Sequence, residues 1–217
     1  MKTLVLCPSR DRPQQLDRML KSVMETSQAV VAVYLDEDNS FKYIDVFPKY
    51  KDRVLVTVGP RIGPAKACQD LVVRHPEFEV YGLGVDDSIF TTPDWDRFVD
   101  DCLQSFPKRL GVVSAFHGHA RWVNFAYVSR QWIEHVGWYV CPDLDHFCWD
   151  TVLEMLGDAT NIVYATREQF FIDHRAEYTV AAGGGNIEPD STKFLWWCVI
   201  GRHDLVQKLK ALMAEAS

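Results

Sequence analysis

The sequence predicts an α/β fold with a mainly parallel sheet flanked by helices, and three observations carry that prediction. Short apolar runs alternate with stretches whose apolar residues recur at helical spacing. The connections between them hold Pro, Gly, Asp and Asn, the residues that turn a chain. Charged residues gather just past the apolar runs, where an open parallel sheet binds its ligands. The 217 residues are 47% hydrophobic and 24% charged, enough for one large domain with a substantial core. We read 1–217 as a single domain with a regular half, 1–106, and a less regular half, 107–217.

Thr3–Cys7 is a short apolar run closed by Pro8, suited to a buried parallel strand. Asp11-Arg12-Pro13 opens a helix, with Pro13 at its first position and Leu16, Met19, Leu20 and Val23 along one face. Ala29–Leu35 is the second strand and ends in Asp36-Glu37-Asp38-Asn39. Val54–Val58 is the third, followed by Gly59-Pro60-Arg61-Ile62-Gly63-Pro64 and a helix over Ala65 to Arg74. Val80–Val85 is the fourth strand, and Pro93 to Phe106 is helical. In the second half, Gly111–Ala115 and Asn124–Val128 read as strands around the polar turn His117-Gly118-His119. Arg130 to Val136 is a helix, and Phe147 to Leu156 is another, with Gly157 at its C-terminal end. Asn161–Ala165 and Phe170–His174 are strands, Gly183-Gly184-Gly185 is a flexible loop, and His203 to Ala214 closes the chain as a helix.

The most informative stretch is Gly84-Val85-Asp86-Asp87-Ser88, at the end of the fourth strand. Adjacent carboxylates repel unless a cation or an array of donors neutralises them, and hard Mg²⁺ or Mn²⁺ prefers such oxygen ligands. The same residues also suit a plain turn. The net charge of −7 argues against a broad nucleic-acid-binding face. No apolar run approaches the roughly 18 residues of a membrane span. The opening apolar run stops at Pro8, too early for a signal peptide. The six cysteines form no CxxC pair and read as reduced thiols, several of them buried, in a cytoplasmic protein.

Several segments together resemble the GT-A glycosyltransferases, especially the family 2-like nucleotide-sugar enzymes. Leu6-Cys7-Pro8-Ser9-Arg10-Asp11-Arg12-Pro13 is similar to the family's opening strand and basic turn. Asp36 matches its acid at the end of the second strand, and Gly63-Pro64-Ala65-Lys66-Ala67 its glycine-containing helix start. Val85-Asp86-Asp87-Ser88 stands where the family carries its DxD motif, with Thr92-Pro93-Asp94-Trp95 just beyond. Val136-Gly137-Trp138-Tyr139, then Asp143, Asp145 and Asp150, resembles the acceptor-side segment, and Phe171-Ile172-Asp173-His174 the later strand. The third DxD position is Ser88, a departure from the family pattern.

The resemblance implies a single-domain, Rossmann-like GT-A fold with a smaller, antiparallel acceptor-side portion. Residues 1–106 become the nucleotide-sugar-binding half and 107–217 the acceptor half. It implies a glycosyltransferase of hexosyltransferase type, using a nucleotide-sugar donor, UDP-linked by the resemblance, with Mn²⁺ or Mg²⁺. Asp87 and His174 are the expected metal ligands. Pro8, Ser9, Arg10, Arg12, Asp36, Arg61, Lys66 and Asp86 are the expected nucleotide-sugar contacts. Asp150, and after it Asp145, is the expected base that takes a proton from the acceptor hydroxyl. The acceptor stays open: a small molecule, a glycan, a protein, or a hydroxymethylated pyrimidine in phage DNA. For the last, the basic residues are Arg121, Arg130, Lys193, Arg202, Lys208 and Lys210. Two other readings remain. A nucleotidyltransferase also uses carboxylates with Mg²⁺, but Pro8–Pro13 lacks the glycine-rich loop such enzymes place after the first strand. An inactive nucleotide- or sugar-binding module is the third.

Overall fold

The computed structural model describes residues 2–114, 123, 125–144, 149–161, 163–165, 172–174 and 202–215. The first half lays down β1 (Thr3–Ser9), α1 (Pro13–Thr26), β2 (Val30–Asp36), β3 (Val54–Gly59), α2 (Pro64–Arg74), β4 (Val80–Leu83), β5 (Ser88–Phe90) and α3 (Trp95–Gln104). Then come β6 (Val112–Ser114), β7 (Ala126–Ser129), α4 (Arg130–Val136), α5 (Trp149–Thr160), β8 (Val163–Ala165), β9 (Ile172–His174) and α6 (Arg202–Ala214). Seven strands form one sheet in the order β3-β2-β1-β4-β7-β6-β8, and β5 pairs with β9 apart from it. Strand β7 runs antiparallel to both its neighbours, while the other six run one way.

Leu4, Val5, Leu6, Val31, Ala32 and Val33 are all buried, because a central parallel sheet is covered on both faces. The predicted apolar face of α1, Leu16, Met19, Leu20 and Val23, is buried as well. Among the described residues, no helix is long and apolar enough to cross a membrane.

The path of the chain creates a switch in strand order. After β1 it moves to β2 and then to the edge strand β3. Helix α2, packed against β1 and β2, carries it back to β4 on the other side of β1. Ligands of open α/β sheets bind at such a crevice, beyond the strand C-termini.

Several strand ends differ from the sequence expectation, β2 reaching Asp36 and β3 Gly59, each one residue further, and β7 covering Ala126–Ser129; the two that matter most for the site are those of β1 and β4. β1 does not stop before Pro8 but runs to Ser9, with Pro8 opposite Tyr34 and Ser9 opposite Leu35 of β2. The Leu6 carbonyl accepts from Gly84 on the β4 side, so Pro8, two residues on, turns its nitrogen to that same side. Pairing with β4 has ended there, and the missing N–H costs nothing. β4 ends at Leu83 rather than Val85, and Asp86 and Asp87 occupy a turn closed by the Ser88 amide on the Val85 carbonyl at 3.0 Å. The turn leads into β5, whose Phe90 amide donates to Ser22 Oγ of α1 at 3.0 Å.

A stack of rings backs this turn. Phe90 meets Trp95 at 4.8 Å between centroids, and Trp95 meets Tyr127 of β7 at 5.4 Å. Tyr127 lies against Gly82 so closely that a Cβ there would sit 1.9 Å from its ring. The glycine in β4 is therefore a packing requirement.

Helix α5 continues past Gly157 to Thr160, correcting the expected stop. Thr160 Oγ1 donates to the Leu156 carbonyl at 2.6 Å and satisfies the last turn from within. Cys7, Cys68, Cys102 and Cys141 are free and buried. His117, His119, Arg121, Asp145, Gly183–Gly185 and Lys193 lie outside the described residues.

Candidate functional site

The turn after β1 organises the site. Asp11 adopts a left-handed backbone with φ of 61°, a conformation that Asp tolerates better than most residues. Asn39 holds it there: the Asp11 amide donates to Asn39 Oδ1 at 2.9 Å, and Asn39 Nδ2 donates back to Asp11 Oδ1 at 2.7 Å. Lys42 pairs with the same carboxylate, which pulls the Asp11 carboxyl below the usual range. Across this reversal, Arg10 reaches the tip of β2 and Arg12 reaches the tip of β4.

Arg10 Nη1 lies 2.6 Å from Asp36 Oδ2 and 2.7 Å from Asp38 Oδ1, and Nη2 lies 2.8 Å from Asp38 Oδ2. Arg12 Nη1 bridges the metal-candidate carboxylates, 3.0 Å from Asp86 Oδ1 and 3.3 Å from Asp87 Oδ2. Asp86 and Asp87 are each only 5% exposed. Two charges at a buried tip need compensation, and here a guanidinium provides part of it.

The other Asp86 oxygen is held by a hydrogen-bonded chain with a definite direction. Ser9 Oγ donates to Asp86 Oδ2 at 2.7 Å, so the Ser9 oxygen must accept at its 2.9 Å contact with Tyr43 Oη. Tyr43 in turn accepts from the Arg12 amide at 3.0 Å. Burial pushes the Tyr43 hydroxyl up to about 12, so it stays protonated and keeps donating. Burial also raises the Asp86 carboxyl, against the Ser9 hydrogen bond and the Arg12 charge, which lower it. Cys7 lies in the same field. Burial first, and the charge of Asp86 next, hold its thiol well above the ordinary range, so it is a packing residue and not a nucleophile.

Of the remaining expected contacts, Arg61 is exposed after β3, and its charge acts on Asp38. Lys66 is exposed on the first turn of α2, which begins after Gly63 with a φ of 83° that favours glycine. Pro8 and Ser9 form the end of β1. His174 closes β9, and the register sets it opposite Ser88, the residue after Asp87. Asp150 is the second residue of α5. The segment after α4 is tied to α2, because the Tyr139 and Val140 amides both donate to Gln69 Oε1, at 2.9 and 3.2 Å. Of the residues read as a DNA-facing set, Arg130 holds the Phe78 and Glu77 carbonyls, and Lys208 holds that of His135.

Sequence reasoning missed Tyr43 and Asn39 as parts of the site. Their partners Ser9 and Asp11 lie 34 and 28 residues away in the chain, and no local pattern marks such pairs. The cluster of polar residues after β2 was the signal at hand, and Asn39 belongs to it.

Among the described residues, no group of three or more His, Cys, Asp or Glu side chains gathers as a metal cage. The Asp pair nevertheless suits a hard divalent cation. It offers two adjacent, buried carboxylates, the hard oxygen ligands such an ion prefers.

No protein-family model matches this sequence, and no curated protein matches it. Solved structures do share its architecture. S. aureus TarS 1–349 aligns with a TM-score of 0.62 at 12% identity, over 79% of this chain and 60% of that one. A structure titled simply S. aureus TarS gives the same score and identity, over 79% of this chain and 36% of that one. A cytidylyltransferase from Leptospira borgpetersenii serovar Hardjo-bovis (strain JB197) aligns at 0.52 and 12% identity, over 99% and 97%. The chain thus spans less than two thirds of either TarS structure. At such identity the likeness is one of fold: a mixed α/β, Rossmann-like sheet flanked by helices.

Proposed function

We propose that the chain is a metal-dependent glycosyltransferase that moves a sugar from a nucleoside-diphosphate donor, UDP-linked in our reading, to an acceptor hydroxyl. One observation carries the reading: a buried Asp pair at the tip of β4, beside the strand-order switch, with the basic turn of β1 against it. The fold likeness to TarS, of GT-A type, supports a transferase of nucleotide-sugar chemistry.

In this reading Asp86, Asp87 and His174 hold Mn²⁺ or Mg²⁺, which when bound supplies Lewis-acid stabilisation of the leaving diphosphate. Arg12 and Lys66 bring positive charge to the phosphates. Asp36 reads the nucleobase, and Arg10 fixes its orientation through the 2.6 Å bond. Ser9 and Tyr43 position Asp86. Asp150 takes the proton of the acceptor hydroxyl as its oxygen bonds to the anomeric carbon and the diphosphate departs; Asp145 is the alternative base. The acceptor is a hydroxyl on a small molecule, a glycan, a protein or a modified DNA base.

A second reading, a nucleotidyltransferase, draws on the cytidylyltransferase likeness, which covers nearly the whole of both chains. The glycine-free turn Pro8–Pro13 weighs against it. One assay separates the two. With Mn²⁺, release of nucleoside diphosphate from UDP-, GDP-, CDP- or ADP-sugars supports the glycosyltransferase. Pyrophosphate release from nucleoside triphosphate and sugar 1-phosphate supports the second reading. Neither product, and no binding of any donor, overturns both.

A further inference from the structure

Strand β3 closes one side of the seven-stranded sheet, with β2 on its inner flank and, among the described residues, no strand on its outer one. Two bonds at its ends fix the direction of its backbone groups. The Arg53 carbonyl accepts from the Val31 amide of β2 at 3.0 Å, and the Gly59 carbonyl accepts from the Glu37 amide, just past β2, at 2.8 Å. Backbone groups of successive strand residues point to alternate sides, and the register with β2 runs unbroken from Val54 to Gly59. Leu55 and Thr57 therefore turn their amides and carbonyls towards β2. Those of Val54, Val56 and Val58 point away from the sheet.

The strand carries none of the devices that keep such an edge from pairing. No Lys, no Pro and no bulge interrupts Val54–Gly59. Val56 is 41% and Val58 50% exposed, and both lie with Val54 on one face of the sheet. The strand also has no ionisable side chain, so two copies of a chain with a net charge of −7 meet here without opposed like charges.

We propose that β3 pairs with β3 of a second copy, antiparallel about a two-fold axis at Val56, so that the two sheets become one. Complementary partial charges favour this partner and set this register. Val56 meets its own copy and Val54 meets Val58, so each outward amide faces an outward carbonyl and every pair exchanges two hydrogen bonds. The valines form one β-branched row across the joint. Shifting the register by two residues spoils the match. In one direction Val58 meets Asp52; in the other Val54 meets Pro60, which has no N–H to give. Because the joined strands run antiparallel, the two strand-tip sites lie at opposite ends of the common sheet, and neither blocks the other.

Sedimentation equilibrium from low to high micromolar concentration tests the pairing, with circular dichroism to confirm folding. Wild type is expected to pass from monomer to dimer. Val56→Pro removes an outward N–H and nothing from the ladder with β2, and it is expected to stay folded and monomeric. Val56→Lys and Val56→Glu each set like charges directly opposite one another at the axis, and each is expected to be monomeric. An equimolar mixture of these two is expected to regain the dimer, because opposite charges then face each other. Val73→Lys, at a residue of α2 that is 68% exposed, is expected to dimerise as wild type does. A wild type that stays monomeric throughout overturns the proposal. So does a dimer that survives Val56→Pro or both charged variants, and so does a mixture of the charged variants that stays monomeric.

Discussion

Arg10 and Arg12 stand two residues apart on one turn, and each binds an aspartate pair at a strand tip, Asp36 and Asp38 or Asp86 and Asp87, yet the two clusters behave as opposites. The Arg10 cluster faces water: the side chain of Asp38 is 62% exposed, and the contacts are short and forked. The Arg12 cluster is enclosed: the side chains of Asp86 and Asp87 are 7% and 3% exposed, and one nitrogen serves both. The same ion-pair chemistry therefore has different consequences. Beside Arg10, Asp38 is held below the ordinary carboxylate range, chiefly by its hydrogen bonds to the guanidinium. Beside Arg12, desolvation wins, and Asp86 is pushed above that range. Ion pairs of the same chemistry thus shift a carboxyl in opposite directions according to how far water reaches them.

The largest expected effect separates the clusters by activity. Asp87→Asn should lower donor turnover by more than about a hundredfold, beyond the cost of losing even an outer partner of a metal site. Asp38→Asn should lower it only a few-fold. Nucleoside diphosphate release measures both, and full activity in Asp87→Asn would remove the metal reading.

Tyr43→Phe attacks the support beneath the buried cluster. It takes away the acceptor of the Arg12 amide and the donor to Ser9 Oγ in a fully buried position. Urea unfolding should show a loss of about 1–3 kcal/mol. A change near zero would mean that Ser9 and the Arg12 amide find other partners.

The dependence of stability on pH should differ in sign between the clusters. A carboxyl whose folded pKa is raised contributes stability below its unfolded value, about 4, and loses it as pH rises through the folded value. Without metal, Asp86→Asn should therefore gain in melting temperature over wild type as pH climbs from about 4 towards 7. A carboxyl whose folded pKa is lowered contributes stability above about 4 and loses it as pH falls. Asp38→Asn should accordingly lie below wild type near neutrality and converge with it in acid. Two curves of the same sign would mean that burial does not separate the two clusters.

The smallest effect belongs to Arg10→Lys, which keeps the charge and loses the fork. Calorimetry should show little change in melting, because solvent-exposed ion pairs contribute little.

Much of the frame was legible in the chain. The four apolar runs of the first half, each closed by turn residues, became β1 to β4, and Leu16, Met19, Leu20 and Val23 became the buried face of α1. Strand β5 was not legible, because three residues, Ser88–Phe90, carry no periodicity; its place depends on Ser22 of α1 and on its pairing with β9. The antiparallel direction of β7 was equally hidden, since an apolar strand reads alike in either direction. At the site, Ser9, Arg10, Arg12, Asp36, Asp86 and Asp87 could be named as polar residues past strand ends. Which arginine meets which aspartate could not, because those partners lie 26 to 75 residues apart.

By itself, the sequence determined where β1 to β4 and the amphipathic helix α1 form and which charged residues stand near the strand ends, because apolar periodicity and turn chemistry are local. The tertiary structure decided which of those charges are buried, which share a counter-cation and which direction the hydrogen bonds take from Tyr43 to Asp86. Burial and pairing depend on crossing the sheet from β3 back to β4 and on the packing of Tyr127 against Gly82, and no stretch of sequence holds both partners of such a contact.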